Sequence, residues 1–159
     1  MDSITLSLGS NLGDRLKHLE YAKQLLKEHD IRITKESRVV ETEPWGHSGQ
    51  PWFLNQVVIV ETVKSPEKLL ETCLTIEAKI GRIRKEKNDL SAVAEPRIID
   101  IDLLTYRDER RKSASLTLPH PEMSKRRFVL VPLAELIPEA QTMLDECKDS
   151  LIVKPYSRC

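Results

Sequence analysis

Residues 3–8 alternate, with Ile4, Leu6 and Leu8 on one side and Thr5 and Ser7 on the other, the period of a half-buried strand. Gly9-Ser10-Asn11-Leu12-Gly13-Asp14-Arg15 breaks that alternation as a strand-to-helix turn, with Asn11 or Asp14 as helix cap. Leu16, Leu19, Ala22, Leu25 and Leu26 then recur at helical spacing to about His29, with His18 and His29 on or near the polar, solvated side. Residues 31–42 predict a second strand and residues 52–63, rich in Val and Ile, a third. Between them residues 43–51 are too long and too rich in Gly and Pro for a tight hairpin. Ser65 as cap, Pro66 in the first turn and Gly81 just past the end bracket a second helix with the stripe Leu69, Cys73, Ile76 and Ile80. Glu77 falls beside that stripe, half-buried or at the surface. A basic cluster, Arg82, Arg84, Lys85 and Lys87, leads into a polar loop that ends at Pro96. Residues 97–104 read as a fourth strand, residues 107–112 as a solvated hairpin tip, residues 128–137 as an apolar helix stopped by Pro138, and residues 151–153 as a weak strand. The order strand, helix, strand, strand, helix, strand is the split βαβ, or ferredoxin-like, plan: an α+β fold whose antiparallel sheet carries helices on one face and leaves the other open.

Composition narrows the class. A chain of 159 residues suits a single domain spanning 1–159. Lys+Arg of 25 against Asp+Glu of 25 gives no net charge, which argues against a broad nucleic-acid surface and leaves room for a local basic pocket. Nothing at the start resembles a signal peptide and no apolar run approaches a membrane span, so a cytoplasmic protein without a membrane partner is expected. Cys73, Cys147 and Cys159 show no zinc-like or disulfide spacing; Cys73 reads as core and the other two as incidental.

The candidate chemistry begins with two acids set into an apolar, β-branched run, Arg97-Ile98-Ile99-Asp100-Ile101-Asp102-Leu103-Leu104. Strand alternation puts Ile99, Ile101 and Leu103 on one face and Asp100 with Asp102 on the other, about 7 Å apart at their Cα atoms. Like charges so placed call for a cation between them, and hard Mg²⁺ is commonly held by one or two carboxylates plus substrate phosphates. A solvent-facing strand with salt bridges weighs equally on this stretch alone. Phe53 and Asn55 share a face of the third strand, an arrangement that suits a flat, hydrogen-bonding ring; a core Phe beside a satisfied Asn is the commoner reading. Pro119-His120-Pro121 fixes the backbone on both sides of a loop histidine, which favours contact with a ligand.

Taken together these pieces resemble the 6-hydroxymethyl-7,8-dihydropterin pyrophosphokinase family. The likeness rests on Gly9-Ser10-Asn11-Leu12-Gly13-Asp14, Glu43-Pro44-Trp45-Gly46 with Phe53-Leu54-Asn55, Glu77 with Gly81-Arg82-Ile83-Arg84, Pro96-Arg97-Ile98-Ile99-Asp100-Ile101-Asp102, and Pro119-His120-Pro121, in the family's order. It implies that Asp100 and Asp102 bind two Mg²⁺ ions bridging the phosphates of ATP. It implies phosphate contacts from Arg82, Arg84, Lys85, Arg97, His120 and Arg126, Arg82 and Arg97 acting in catalysis, and an adenosine site lined by Glu77, Leu103 and Thr117. Thr42, Pro44, Gly46, Phe53, Asn55 and Phe128 are implied to hold the pterin alcohol, with Phe53 and Phe128 as the faces of a stacking sandwich. The implied reaction is in-line attack of the pterin hydroxyl on the β-phosphorus of ATP, with AMP leaving, in a monomer or weak homodimer. Two departures stand out: residues 86–95 are longer than usual and lack the family's Trp-Gly, and Phe53 and Trp45 replace a frequent Tyr and Leu. Two other functions compete. One is a different Mg²⁺-dependent phosphoryl or nucleotidyl transferase on the same carboxylates; the other is a ferredoxin-like RNA-binding module, which an acidic sheet face and 4% aromatic content oppose.

Overall fold

In the computed structural model, which describes residues 1–44, 49–81 and 98–157, the chain runs β1 (Ile4–Ser10), α1 (Arg15–Glu28), β2 (Arg32–Glu36), β3 (Val40–Thr42), β4 (Phe53–Glu61), α2 (Pro66–Ile80), β5 (Asp100–Tyr106), β6 (Arg111–Lys112), β7 (Thr117–Leu118), α3 (Arg127–Leu136), α4 (Ala140–Glu146) and β8 (Val153–Pro155). The sheet order is β5–β1–β4–β3–β8, with β2 also on β4, and these pairs are antiparallel. This is the expected ferredoxin-like arrangement with β8 added at one edge.

Alternation decides what each face meets. Ile4, Leu6 and Leu8 of β1 and Ile101 and Leu103 of β5 point to the same side, where they pack on Leu19, Leu25 and Leu26 of α1 and Leu69, Cys73 and Ile76 of α2. The two helices end where their caps put them. Asp14 Oδ1 accepts from Lys17 N–H, Ser65 Oγ accepts from Lys68 N–H, and Gly81 closes α2 in the left-handed region at φ 114°. At that φ a side chain would be strained, so glycine is the fitting residue.

The second face is not open along its whole length. Val57 and Leu104 project onto it and are covered by Met123, Val129, Leu130, Leu133 and Ile137, so α3 and α4 form a partial third layer. Fully burying one such Leu contributes about 1.5–3 kcal/mol, enough to hold a short helix that has a proline, Pro132, inside it. Alternation alone carries Leu104 to this layer and Leu103 to the first, and a β-bulge between Thr5 and Leu6, where the pairing passes over Leu104, returns Tyr106 to the first core.

Other elements differ from expectation in detail. The strand expected over 31–42 splits into β2 and β3: Ser37 Oγ, accepting from Val57 N–H at 3.0 Å, and Gln56, donating to Ser37 O at 2.7 Å, take over the ladder there. The turn expected over 107–112 ends earlier, for Arg111 and Lys112 pair with Leu118 and Thr117, and the connection that folds back is residues 113–116. The last strand lies at Val153–Pro155, two residues later than expected, and α4 has no counterpart in the expected elements. Residues 86–95, named above for their missing aromatic, lie outside the described residues. Among the described residues no helix is long and apolar enough to cross a membrane.

Candidate active site

The polar half of the second face lies at one end of the sheet. Gly9 of β1 pairs with Asp100 on one side and Asn55 on the other, and Ser7 pairs with Asp102 and Val57. Asp100, Gly9 and Asn55 therefore form one row across three strands, and Asp102, Ser7 and Val57 form the next. The first row is polar; the second ends under the helical layer.

Gly9 makes the first row possible. A Cβ at this position would sit 2.7 Å from Asn55 Oδ1, closer than such atoms approach one another. Asn55 is itself held, 4% exposed, by donating from Nδ2 to Thr42 Oγ1 at 3.1 Å. Thr42, Phe53 and Asn55 thus come together as expected, with Phe53 and Pro44 half-buried. The strand that presents Phe53 and Asn55 is anchored just upstream. Asn11 Nδ2 donates to Pro51 O at 3.1 Å, and Arg15 Nη1 donates to Trp52 O at 2.8 Å and to Glu41 at 2.7 Å.

Asp100 and Asp102 are both half-buried on this face. Glu77 is not a surface residue: it is 1% exposed, and its Oε2 accepts from Ile101 N–H at 2.8 Å. It grips the strand at the residue between the two aspartates. Leu103, expected at the adenosine site, turns its side chain into the first core layer, 3% exposed. The alternation that points Asp100 and Asp102 outward turns Leu103 inward, so any ligand contact from it is a backbone one.

Cations arrive from the loop between β7 and α3. Arg126 Nη1 is 3.9 Å from Asp102 Oδ2, and its guanidinium lies 5.9 Å from the Phe128 ring centre. His120 docks on β5 through its backbone, His120 N–H donating to Leu104 O at 2.8 Å, and its Nδ1 accepts from Glu122 N–H at 3.1 Å. An Nδ1 that accepts leaves the proton of the neutral ring on Nε2. Burial pushes the His120 pKa below its ordinary value and Arg126 pushes it further, against the pull of Glu122 and Asp100. The ring is therefore a neutral donor near pH 7. Thr117 is half-buried at the start of the same segment. Gly46, Arg82, Arg84, Lys85 and Arg97 lie outside the described residues. An open hollow of about 610 Å³ lined by Asp2, Asp30, Glu61 and Arg107 sits at the other end of the sheet and contains none of these residues.

The profile of the 7,8-dihydro-6-hydroxymethylpterin-pyrophosphokinase family matches residues 5–138. The chain belongs to this family. A pyrophosphokinase of Methylorubrum extorquens is 43% identical over 135 residues, 84% of this chain and 82% of that protein. One of Bacillus subtilis is 39% identical over 137 residues, 86% and 78% of the two chains. A crystal structure of an HPPK-DHPS protein in complex with substrates superposes with a TM-score of 0.65 at 14% identity, over 90% of this chain and 43% of that one, so the pyrophosphokinase chain has the same fold and spans less than half of the larger protein.

Three supporting roles around this candidate site do not show in the sequence, although the resemblance already names Glu77 for the adenosine side. Gly9 reads as a turn glycine, and only the strand register reveals that it makes room for Asn55. Glu77 stands next to apolar positions, but its target is a backbone amide 24 residues away. Asp149, which accepts from the first amide of α3, carries no local signal at all.

Proposed function

We propose that the polar end of the sheet, from Asp100 and Asp102 across Gly9 to Asn55 and Thr42, is where this pyrophosphokinase transfers the pyrophosphoryl group of ATP to 6-hydroxymethyl-7,8-dihydropterin, a step of folate biosynthesis. The observation that carries the reading is the row Asp100–Gly9–Asn55. It sets an acidic strand, suited to phosphate-bound cations, one strand away from a buried amide suited to a heterocycle. The covalent change in such a reaction is small: the pterin hydroxyl oxygen forms a bond to the β-phosphorus, the bond from that phosphorus to the AMP oxygen breaks, and the hydroxyl proton passes to solvent. Positioning and charge neutralisation therefore supply most of the rate.

The donor set fits a hard cation. Asp100 and Asp102 share a strand face, among the described residues no third carboxylate, His or Cys joins them as a closed cage, and Mg²⁺ normally takes one or two carboxylates with phosphate oxygens and water completing its shell. Asp100 and Asp102 would hold two Mg²⁺ ions, which when bound neutralise the phosphates. Around them the chain's own groups do the rest. His120 offers its Nε2–H as a neutral donor to a phosphate oxygen, and Arg126 adds a fixed positive charge. Arg82, Arg84, Lys85 and Arg97 are assigned to phosphates by family resemblance, as Glu77, Leu103 and Thr117 are to the adenosine side. On the acceptor side Asn55 turns its carbonyl over Gly9, where a ring N–H can meet it. Phe53 and Phe128 supply the stacking faces, and Thr42, Pro44 and Gly46 complete the rim. We place the reaction in the cytoplasm, in one domain acting as a monomer or weak homodimer.

The test is AMP release with ATP, Mg²⁺ and the pterin alcohol. Turnover is expected to require all three, and Asp100→Ala and Asp102→Ala are each expected to abolish it with the melting temperature kept, since each relieves like-charge repulsion on a face that is not core. An active variant at either position refutes the metal assignment.

A further inference from the structure

The helix that carries Phe128 starts without a cap of its own. Arg126 occupies the N-cap position of α3 in an extended conformation and makes no side-chain cap bond; its guanidinium faces Asp102 and the Phe128 ring instead. The first amides of a helix have no intrahelical acceptor, and a cap residue normally answers one of them. Here the acceptor comes from 22 residues downstream: Arg127 N–H donates to Asp149 Oδ2 at 2.9 Å. The other oxygen, Oδ1, accepts from Leu151 N–H at 2.9 Å.

The same short tail is tied to the opposite wall of the site. Glu43 N–H donates to Ile152 O at 3.1 Å, and Ile152 N–H donates to Glu43 Oε1 at 2.8 Å. β8 then pairs with β3, with Val153 opposite Thr42. Lys154 lies 3.7 Å from Glu41 and 4.9 Å from the Trp52 ring centre. Three residue steps at about 3.4 Å each separate Asp149 from Ile152, so the tie between the start of α3 and the end of β3 is no longer than roughly 10 Å. This segment lies beyond residue 138, where the family profile's match ends.

We propose that the tail from Asp149 to Lys154 is a brace for acceptor binding, with Asp149 as its positioning residue. It holds the start of α3, with Arg126 and Phe128, at a fixed spacing from the end of β3, with Thr42 and Pro44. An arginine can then occupy the cap position and face the acidic strand, because the capping carboxylate is supplied by the tail. The inference rests on the pterin assignment made above.

The full chain, Asp149→Ala, Asp149→Asn and Ser65→Ala are compared for binding of the pterin alcohol with a non-hydrolysable ATP analogue and Mg²⁺, for KM and kcat, and for melting temperature. Asp149→Ala is expected to raise the pterin Kd about five-fold, the scale of a lost cap, and to raise the pterin KM more than it lowers kcat. Asp149→Asn keeps one accepting oxygen and is expected to recover part of the affinity. Ser65→Ala removes the α2 cap, a 3.1 Å bond from Lys68 N–H, and is expected to lower the melting temperature similarly with pterin affinity unchanged. Wild-type affinity in Asp149→Ala overturns the brace and leaves Asp149 a stabilising cap only. So does an equal affinity loss in Ser65→Ala. If the alanine variant does not fold, Asp149→Asn decides, and wild-type affinity there overturns the brace. A wild-type chain that binds no pterin overturns the site assignment itself.

Discussion

Replacing Gly9 with alanine tests the site at its narrowest point. The added methyl would lie 2.7 Å from Asn55 Oδ1 and 3.8 Å from Leu54 O, so the amide, not the neighbouring backbone, has to give. Ordinary contact requires a retreat of roughly 0.7 Å. A movement of that size displaces the amide whose Nδ2 makes the 3.1 Å bond to Thr42 and puts that bond at risk. Both residues are buried, at 4% and 2% exposed, so water does not readily replace the partner. A buried polar group left unmade costs about 1–3 kcal/mol. Against this, replacing a strand glycine by alanine gains about 0.4–1 kcal/mol by restricting the unfolded chain. The net destabilisation therefore lies between about zero and 2.6 kcal/mol. Acceptor binding is hit harder: the amide is displaced from where the ring would meet it, and a loss of about 1.5–3 kcal/mol, roughly ten- to hundred-fold in Kd, is expected. Quenching of pterin fluorescence measures the affinity, thermal denaturation measures the stability, and ATP binding serves as the internal control, expected to change little. If Gly9→Ala binds the pterin as the wild type does, the placement of the acceptor against Asn55 is wrong.

Three further outcomes follow from the same geometry. Burial and Arg126 depress the pKa of His120 below the ordinary 6.5, so below about pH 6.5 the unfolded chain takes up the proton first; the contribution to stability is complete above that pH and is lost as pH falls through the folded-state pKa. The melting temperature of His120→Gln should then fall less than that of the wild type between pH 7.5 and 5, and equal slopes would count against the neutral ring with its accepting Nδ1. Burial, with Glu77 and Asp102 nearby, pushes the Cys73 thiol up to about 12, so peptide mapping after mild alkylation of the native protein should find Cys73 unmodified while Cys147, half-buried, is labelled; modification of Cys73 before Cys147 contradicts this. Glu77→Ala leaves the Ile101 amide without its acceptor, which should cost about 1–3 kcal/mol, or roughly 3–10 °C in melting temperature, and reduce turnover; Glu77→Gln, which keeps an acceptor, should recover most of the stability, and no difference between the two variants would remove Glu77 from the support of the acidic strand.

The legible parts of this molecule are those whose cause is local. Ser65, Pro66 and Gly81 mark the ends of α2 because caps act within one turn. Asp100 and Asp102 declare a shared face because strand alternation needs only the strand. What depends on a distant partner was hidden. The break between β2 and β3 is made by Ser37 and Gln56 side chains bonding across to each other's strands, and nothing in residues 31–42 announces it. α4 has seven residues, no side-chain cap and a single fully buried position, Ala140; its stability comes from packing on α3, not from propensity. The third layer did leave a trace. Val57, Val58, Ile59 and Val60 are apolar in succession, a run that fits a strand covered on both faces better than one with an open side.

That trace explains why the site occupies only one end of the sheet. The row Asp102–Ser7–Val57 starts at a carboxylate and ends beneath α3, so the border between hydrophobic cover and ligand surface runs through the middle of this row. One row further out, Asp100–Gly9–Asn55 is polar throughout. The two aspartates are therefore not equivalent. Asp102 stands at the border, where the start of α3 already brings Arg126 to 3.9 Å, while Asp100 stands in the outer row and reaches His120 electrostatically. Shifting β5 by one residue would put Ile101 and Leu103 in these places and bury both acids. A bulge between Thr5 and Leu6, beyond the site, lets the apolar end of the strand serve the helices without disturbing the register of the acidic end. The same strand can thus be core at one end and an acidic surface, the one proposed for phosphate-bound cations, at the other.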